Sequence, residues 1–132
     1  MTTLRRSETR SISIQASPDA VLDLVADPQN LPGWAPGFAG DIRPDGDDWI
    51  INAGDEEARI RVRVSREHGT VDFLSVDIPG RGGYSRVLPN EDGSEYQFTL
   101  LFPDGTDDAM VKRQMAVVQD ELQSIRSICE GR

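Results

Sequence analysis

Three polar residues have types and surroundings that could support acid–base chemistry on a small molecule. Asp77 follows an apolar stretch, and a carboxyl group held in an apolar cavity retains its proton more readily, which suits it to proton transfer. Tyr96 could donate a hydrogen bond to a substrate carbonyl or enolate. Arg81 lies in the glycine-bracketed sequence PGRGG and could hold an anionic group. We therefore predict Asp77 and Tyr96 as catalytic residues and Arg81 as a ligand contact.

Other kinds of active site find little support in the sequence. The one histidine, His68, falls in the predicted hairpin turn REHG, where a solvated role is favoured. The one cysteine, Cys129, can form no intrachain disulfide and is interpreted as a helix-packing residue. No residue spacing is typical of a metal site, of a phosphate-binding loop or of a nucleophilic triad. We therefore expect no metal and no cofactor.

The elements that must position these residues begin with a strand and two short helical segments. Residues 11–16 alternate in the pattern of a half-buried strand. Ser17 can cap a helix that has Pro18 in its first turn, and this helix must end at Asp27, before Pro28. A further helical turn is predicted for residues 28–31, after which prolines and glycines break the chain.

The rest of the chain predicts strands and then one long helix. Five turn signals between Phe38 and Phe102 separate six strands. A helix begins near residues 106–108 and ends at Gly131, with an apolar stripe of Val111, Met115, Val118, Leu122, Ile125 and Cys129. This order predicts an α+β fold in one domain, residues 1–132: a strongly curved seven-stranded antiparallel sheet (β-α-α-β6-α) around the C-terminal helix, with a cavity between them.

Hairpin pairing predicts which side chains face this cavity, because paired residues share a side of the sheet. A four-residue NEDG loop pairs Val87 with Tyr96, Ser85 with Phe98 and Gly83 with Leu100, so small residues face large ones and leave unfilled volume. The REHG turn pairs Val64 with Val71, Val62 with Phe73, Ile60 with Ser75 and Ala58 with Asp77. The PDGD turn pairs Ile42 with Trp49 and Gly40 with Ile51.

In this register Ser75 and Asp77 point inward, whereas Leu74, Val76 and Ile78 point outward unless a slip or bulge reverses them. The predicted ligand-binding residues are Trp34, Phe38, Trp49, Phe73, Ser75, Arg81, Ser85, Phe98, Met115 and Val118. An apolar lining with isolated polar points is typical of a small-molecule pocket. The alternative is that these side chains simply pack against the long helix.

The charge balance argues against polyanionic partners. The 132 residues include 14 basic and 23 acidic side chains, for a net charge of −9, which disfavours nucleic acid and anionic membrane surfaces. The short arginine clusters, such as Arg59, Arg61 and Arg63, are interpreted as a solvated strand face. With one cysteine, no signal core and no membrane-spanning run, we expect a cytoplasmic protein.

The order of motifs and elements along the chain resembles that of a known superfamily. The pattern consists of Ile12, Pro18, Val21, Leu24, Asp27, Pro28, Leu31 and Trp34, followed by six strands and an amphipathic helix. It resembles the START-like or SRPBCC superfamily, in particular its polyketide cyclase/dehydrase branch. The resemblance covers essentially the whole chain and implies the helix-grip fold. It also implies that the segment bearing Trp34 and Phe38 runs along the cavity rim, either as pocket wall or as a plug on the helix ends.

Three functions are consistent with this resemblance. The first is binding of an apolar aromatic or polyketide-like molecule, with cyclisation or dehydration by metal-independent proton transfer. The second is a non-catalytic carrier or sensor that uses the same cavity. The third is a protein-interaction module, monomeric or homodimeric, that uses Leu74, Val76 and Ile78.

Overall fold

The structure of the chain, a computed structural model, describes residues 4–131. Its seven strands are β1 (Arg6–Ile14), β2 (Asp41–Asp45), β3 (Asp48–Ala53), β4 (Glu56–Ser65), β5 (Thr70–Ser75), β6 (Gly82–Asn90) and β7 (Gly93–Phe102). Its helices are α1 (Pro18–Ala26), α2 (Leu31–Trp34) and α3 (Asp108–Cys129), with a 3₁₀ turn at Pro28–Asn30. The predicted α+β element order is therefore confirmed.

Local chemistry explains where the helices begin and end. The Ser17 hydroxyl accepts a hydrogen bond from the Ala20 N–H at 3.2 Å, and α1 ends at Ala26 with Asp27 as its extended C-cap, before Pro28. The Asp107 carboxylate accepts the Ala109 N–H at 2.6 Å and so caps α3. The prediction that prolines and glycines break the chain directly after residue 31 is wrong at Pro32, which lies in the first turn of α2, where a missing N–H is tolerated.

All seven strands form one antiparallel sheet in the order β1-β7-β6-β5-β4-β3-β2. The two edges are thus β1 and β2, and β2 contains Pro44 opposite Trp49. The helices lie on one face, where α3 packs against β1, β7, α1 and α2. Between sheet and helices lies the apolar core, so the predicted curved sheet around a long helix is confirmed.

The predicted registers are confirmed at two hairpins and wrong at one. Val87 lies opposite Tyr96, and Val62 lies opposite Phe73, as expected. The NEDG loop is shorter than predicted, since only Glu91 and Asp92 lie between the paired Asn90 and Gly93. At PDGD the register is displaced by two residues, so Ile42 pairs with Ile51 rather than with Trp49. A two-residue turn at Gly46 and Asp47, with Gly46 at a φ of 63°, accounts for the displacement.

The outer face of β2 to β5 carries the arginines, and each is engaged by an acid. Arg59 pairs with Asp45 and Asp48, Arg61 pairs with Asp48, and Arg63 pairs with Asp72. These pairs neutralise the positive charge locally. The interpretation as a solvated strand face is therefore supported over a binding stripe.

Candidate functional site

Three aromatic rings form a continuous cluster in the interior between the sheet and the helices. Trp34 of α2 meets Phe73 of β5 edge to face, with ring centroids 5.9 Å apart and an interplanar angle of 67°. The ring of Phe73 lies 6.3 Å from that of Phe98 on β7. All three side chains are buried. The predicted ligand-binding residues Trp34, Phe73 and Phe98 are thus brought together.

The Phe98 ring occupies the space that the sequence predicted to be empty. Gly83 lies on β6 beside it, and a Cβ atom added at Gly83 would fall far inside van der Waals contact with Cζ of Phe98. The glycine therefore makes room for the ring. The prediction of unfilled volume beside Gly83 is wrong for this conformation, because a side chain from the adjacent strand lies across it.

Tyr96 is the most deeply buried polar side chain of this interior. It is inaccessible to solvent, and its hydroxyl makes no hydrogen bond of normal geometry to any of residues 4–131. The neighbouring Ser85 hydroxyl donates its own proton to the Val71 carbonyl at 2.7 Å. Burial raises the pKa of Tyr96 well above its ordinary value, and the side-chain interaction with the nearby Ser85 hydroxyl opposes this rise only in part, so the phenol stays neutral. A neutral phenol can donate a hydrogen bond.

Trp34 supplies a second donor of the same kind. Its side chain is 3% exposed, and within the described part of the chain its Nε1–H has no acceptor. Tryptophan Nε1 can only donate. The described part of the interior therefore presents two buried donors without acceptors in apolar surroundings.

Sequence reasoning missed an ionisable residue on α3, Glu121. It lies three residues after Val118 and four before Ile125, beside the buried stripe of α3, and it is only partly accessible. Burial, and then the charge of Asp120, raise the pKa of Glu121 to about 7. The negative charge of Glu121 in turn acts on Tyr96. The only signal in the sequence was an acid on the flank of the apolar stripe.

The surroundings predicted for Asp77 are wrong. Strand β5 ends at Ser75, whose hydroxyl accepts the Ile78 N–H at 3.0 Å and so starts a turn. The predicted pairing of Ala58 with Asp77 is therefore absent, and Asp77 is exposed in the segment that follows β5. Ser75 itself is half-buried, at the end of the strand.

The remaining predicted ligand contacts fall into two groups. Met115 and Val118 of α3 are buried in the core, Ser85 is buried on β6, and Trp49 is half-buried against the core. Phe38 is 38% exposed between α2 and β2, and Arg81 is exposed in the β5–β6 loop, where its carbonyl accepts the Ser75 N–H. The first group belongs to the interior with Tyr96, whereas the structure does not bring Phe38 and Arg81 into it.

Two open depressions lie on the surface of residues 4–131, and neither is lined by Tyr96 or by the aromatic cluster. One has a volume of about 540 Å³ and is lined by the β6–β7 turn, the end of β1 and the end of α3. The other has a volume of about 390 Å³ and lies over β4 and β5, between Arg63 and Asp72. In this conformation the space over Gly83 is filled by the Phe98 ring.

The other chemically notable residues lie outside the interior. His68 is exposed in the β4–β5 turn, where Nδ1 lies 2.9 Å from the Ser65 hydroxyl. Cys129 packs against the core, and burial raises the pKa of its thiol. Within residues 4–131, no group of three or more His, Cys, Asp or Glu side chains could hold a metal ion. None of the helices in that range is long and apolar enough to cross a membrane.

A curved antiparallel sheet that wraps one long helix, with an apolar interior between them, defines the helix-grip class of proteins. Over residues 5–130 the chain matches the family described as polyketide cyclase/dehydrase and lipid transport, and it belongs to that family. The resemblance stated from the sequence is thus confirmed. A comparison with curated proteins found no significant match.

Solved structures show the same fold at low sequence identity. XoxI from Bacillus cereus is 17% identical, with a TM-score of 0.77 over 93% of this chain and 94% of that chain. The Aha1 dimer from Colwellia psychrerythraea is 18% identical, with a TM-score of 0.74 over 95% and 96%. A START superfamily protein from Mycobacterium smegmatis is 13% identical, with a TM-score of 0.71 over 95% and 97%.

Proposed function

We propose that this protein binds a small apolar molecule, aromatic or polyketide-like, in the interior between the curved sheet and α3. The single observation that carries the proposal is the pair of buried, unpaired donors, the Tyr96 hydroxyl and the Trp34 indole N–H. A buried polar group without a partner costs about 1 to 3 kcal/mol, and such groups call for an explanation. A ligand oxygen that accepts from Tyr96 would supply the missing partner.

Binding beside Gly83 requires the interior to open, because the Phe98 ring occupies that space. We expect the Phe98 ring to move on binding, because Gly83, over which it lies, has no side chain that could block a change of rotamer. A ligand that binds the open form shifts the population toward it. Phe73, Met115 and Val118 would then line the bound molecule, as expected from the sequence.

Ligand binding requires fewer groups than catalysis does. With Asp77 exposed, the interior offers the donors that hold a carbonyl oxygen, which suffices for a carrier or sensor. Cyclisation or dehydration by proton transfer, the activity implied by the family description, is the further step of the same proposal. The single cysteine fits a reducing compartment, so we propose a cytoplasmic location.

The test compares Tyr96→Phe with the unaltered protein, using 2-acetylnaphthalene and 2-isopropylnaphthalene, which share their shape and differ in the carbonyl. Loss of the hydroxyl is expected to weaken binding of the acetyl probe about 5- to 10-fold, the equivalent of one hydrogen bond, and to leave the isopropyl probe unchanged. The unliganded variant should be about 1 kcal/mol more stable, because an unpaired buried hydroxyl is gone. Native mass spectrometry and urea unfolding measure the two effects.

Tyr84→Phe is the matched control, since Tyr84 neighbours Ser85 on β6 but lies on the opposite face of the sheet. It should change neither probe's affinity. Failure of the unaltered protein to bind either probe would refute the proposed function. Equal losses for both probes in Tyr96→Phe would refute the role of the hydroxyl. A probe that returns from the protein with a changed mass would add catalysis to binding.

A further inference from the structure

Glu121 is a titratable residue at the boundary of the interior that has no partner among the described residues. It flanks the buried stripe of α3, and none of the hydrogen bonds or ion pairs formed within residues 4–131 involves it. On the opposite side of the interior, the buried Tyr96 hydroxyl is also unpaired, and the charge of Glu121 acts on it. One polar group on α3 and one on β7 thus border the core from opposite sides, and no hydrogen bond joins them.

No cation compensates Glu121 from the elements packed against α3, as far as the described residues show. On α3 itself, Asp120 adds negative charge and Arg126 is paired with Glu130. Lys112 and Arg113 are exposed and lie more than two helical turns before Glu121. α2 carries no charged residue. On α1, Asp19 is exposed and Asp23 is paired with Arg66. On β1, Glu8 is paired with Arg6 and Arg10, and Arg6 is also paired with Asp108. On β7, Glu95 accepts hydrogen bonds from Ser13 and Asn90.

An unpaired carboxylate in such a place has one obvious complement. A carboxylate only accepts hydrogen bonds, and a bond to an ionised acceptor is about twice as strong as one between neutral groups. Tyr96 and Trp34, by contrast, donate. The interior therefore has donors on the sheet and α2, and an acceptor on α3, which is the complement of a ligand that carries both a hydroxyl and a carbonyl group.

We infer that Glu121 is a specificity-determining residue of the interior site, whose carboxylate accepts the hydrogen bond of a ligand hydroxyl or enol while Tyr96 donates to the ligand's carbonyl. The ligand class is then a hydroxyaryl ketone or a similar enolisable ring compound. This inference rests on the proposed function, since it assigns a second polar contact to the same site. It makes recognition of the hydroxyl group dependent on the ionisation of Glu121.

The test uses 2-naphthol and 2-methoxynaphthalene, which differ in the ability to donate a hydrogen bond, at pH 5.5 and pH 8.0. A naphthol, like a tyrosine phenol, ionises near pH 10, above this window. For the unaltered protein, the ratio of the two affinities is expected to shift about 5- to 10-fold in favour of 2-naphthol at the higher pH. In Glu121→Gln the ratio should not change with pH. Fluorescence titration or calorimetry gives both constants.

Asp120→Asn is the matched control, because Asp120 acts on Glu121 only through its charge. This variant should keep the pH-dependent preference, with its midpoint moved to lower pH. Binding of both probes with a ratio that does not change with pH, or a change retained in Glu121→Gln, would overturn the inference and leave the proposed function intact. Binding of neither probe to the unaltered protein would overturn both.

Discussion

Replacing Phe98 with alanine is expected to lower the free energy of unfolding by about 3 to 5 kcal/mol and at the same time to create room for a ligand. The ring is 9% exposed and packs against Phe73 and over Gly83, so its removal leaves a cavity that backbone relaxation cannot fill. The same cavity should bind an apolar probe such as 2-isopropylnaphthalene more tightly than the unaltered protein does. Urea unfolding and native mass spectrometry measure the two effects.

A double-mutant cycle with Gly83→Ala checks this reason directly. Alone, the added methyl group must displace the Phe98 ring, and overpacking of this kind typically costs about 1 to 3 kcal/mol. In the Phe98→Ala background the methyl group meets no ring, so the cost should largely disappear. Additive effects of the two changes would show that the ring does not lie over Gly83.

Replacing Glu121 with glutamine is expected to stabilise the unliganded protein at alkaline pH and to have little effect at pH 4. Burial raises the folded-state pKa of Glu121 from its ordinary 4.5 to about 7, so between these values the folded state binds a proton that the unfolded state lacks. Stability from this residue therefore falls as the pH rises through the window. The full difference, reached above pH 7, is at most about 3 kcal/mol.

For a domain of this size, each kcal/mol corresponds to roughly 3 to 5 °C in melting temperature. Thermal unfolding of both proteins from pH 4 to pH 9 should give curves that coincide at the acidic end and separate above pH 5. Asp120→Asn should show a smaller separation of the same sign, because it lowers the pKa of Glu121 without removing the carboxyl group. Curves that stay parallel across the range would place Glu121 in water.

Hairpin arithmetic from the sequence was most accurate where apolar residues alternate on both strands. The pairing of Val87 with Tyr96 follows because a slip of one residue would expose the core face of β6 and β7. The same arithmetic failed at the PDGD turn, where several polar residues allow turns of different length and Gly46 adopts a positive φ. Turn length depends on backbone geometry that residue types alone do not fix.

The errors in the candidate site have different physical causes. Asp77 was predicted to face the interior because the sequence pattern extended β5 beyond Ser75. In the structure the Ile78 N–H donates to the Ser75 hydroxyl, and the pairing ends there. The empty volume beside Gly83 was inferred from directly paired residues, whereas the space is filled by the Phe98 ring next to it. Tyr96 was identified correctly as an inward-facing polar residue. The sequence could not show that the neighbouring Ser85 hydroxyl donates to the Val71 carbonyl and not to Tyr96.

Glu121 was missed because periodicity identifies the centre of a buried stripe and not its margins. An acid beside Val118 and Ile125 has the same pattern whether it faces solvent or a neighbouring helix. Whether such an acid is covered depends on how the other elements pack against α3. The fold was therefore predictable from local patterns, while the polar groups of the interior depend on contacts between distant segments.

Pro44 in β2 also affects the tendency of the protein to self-associate at high concentration. An open sheet ends in strands whose free backbone groups can recruit a strand from another molecule, which is a route to aggregation. Pro44 has no N–H to offer such a strand, and the exposed charges of Asp41, Arg43 and Asp45 surround it on the same short edge. Growth of the sheet from one molecule into the next is thereby disfavoured at β2.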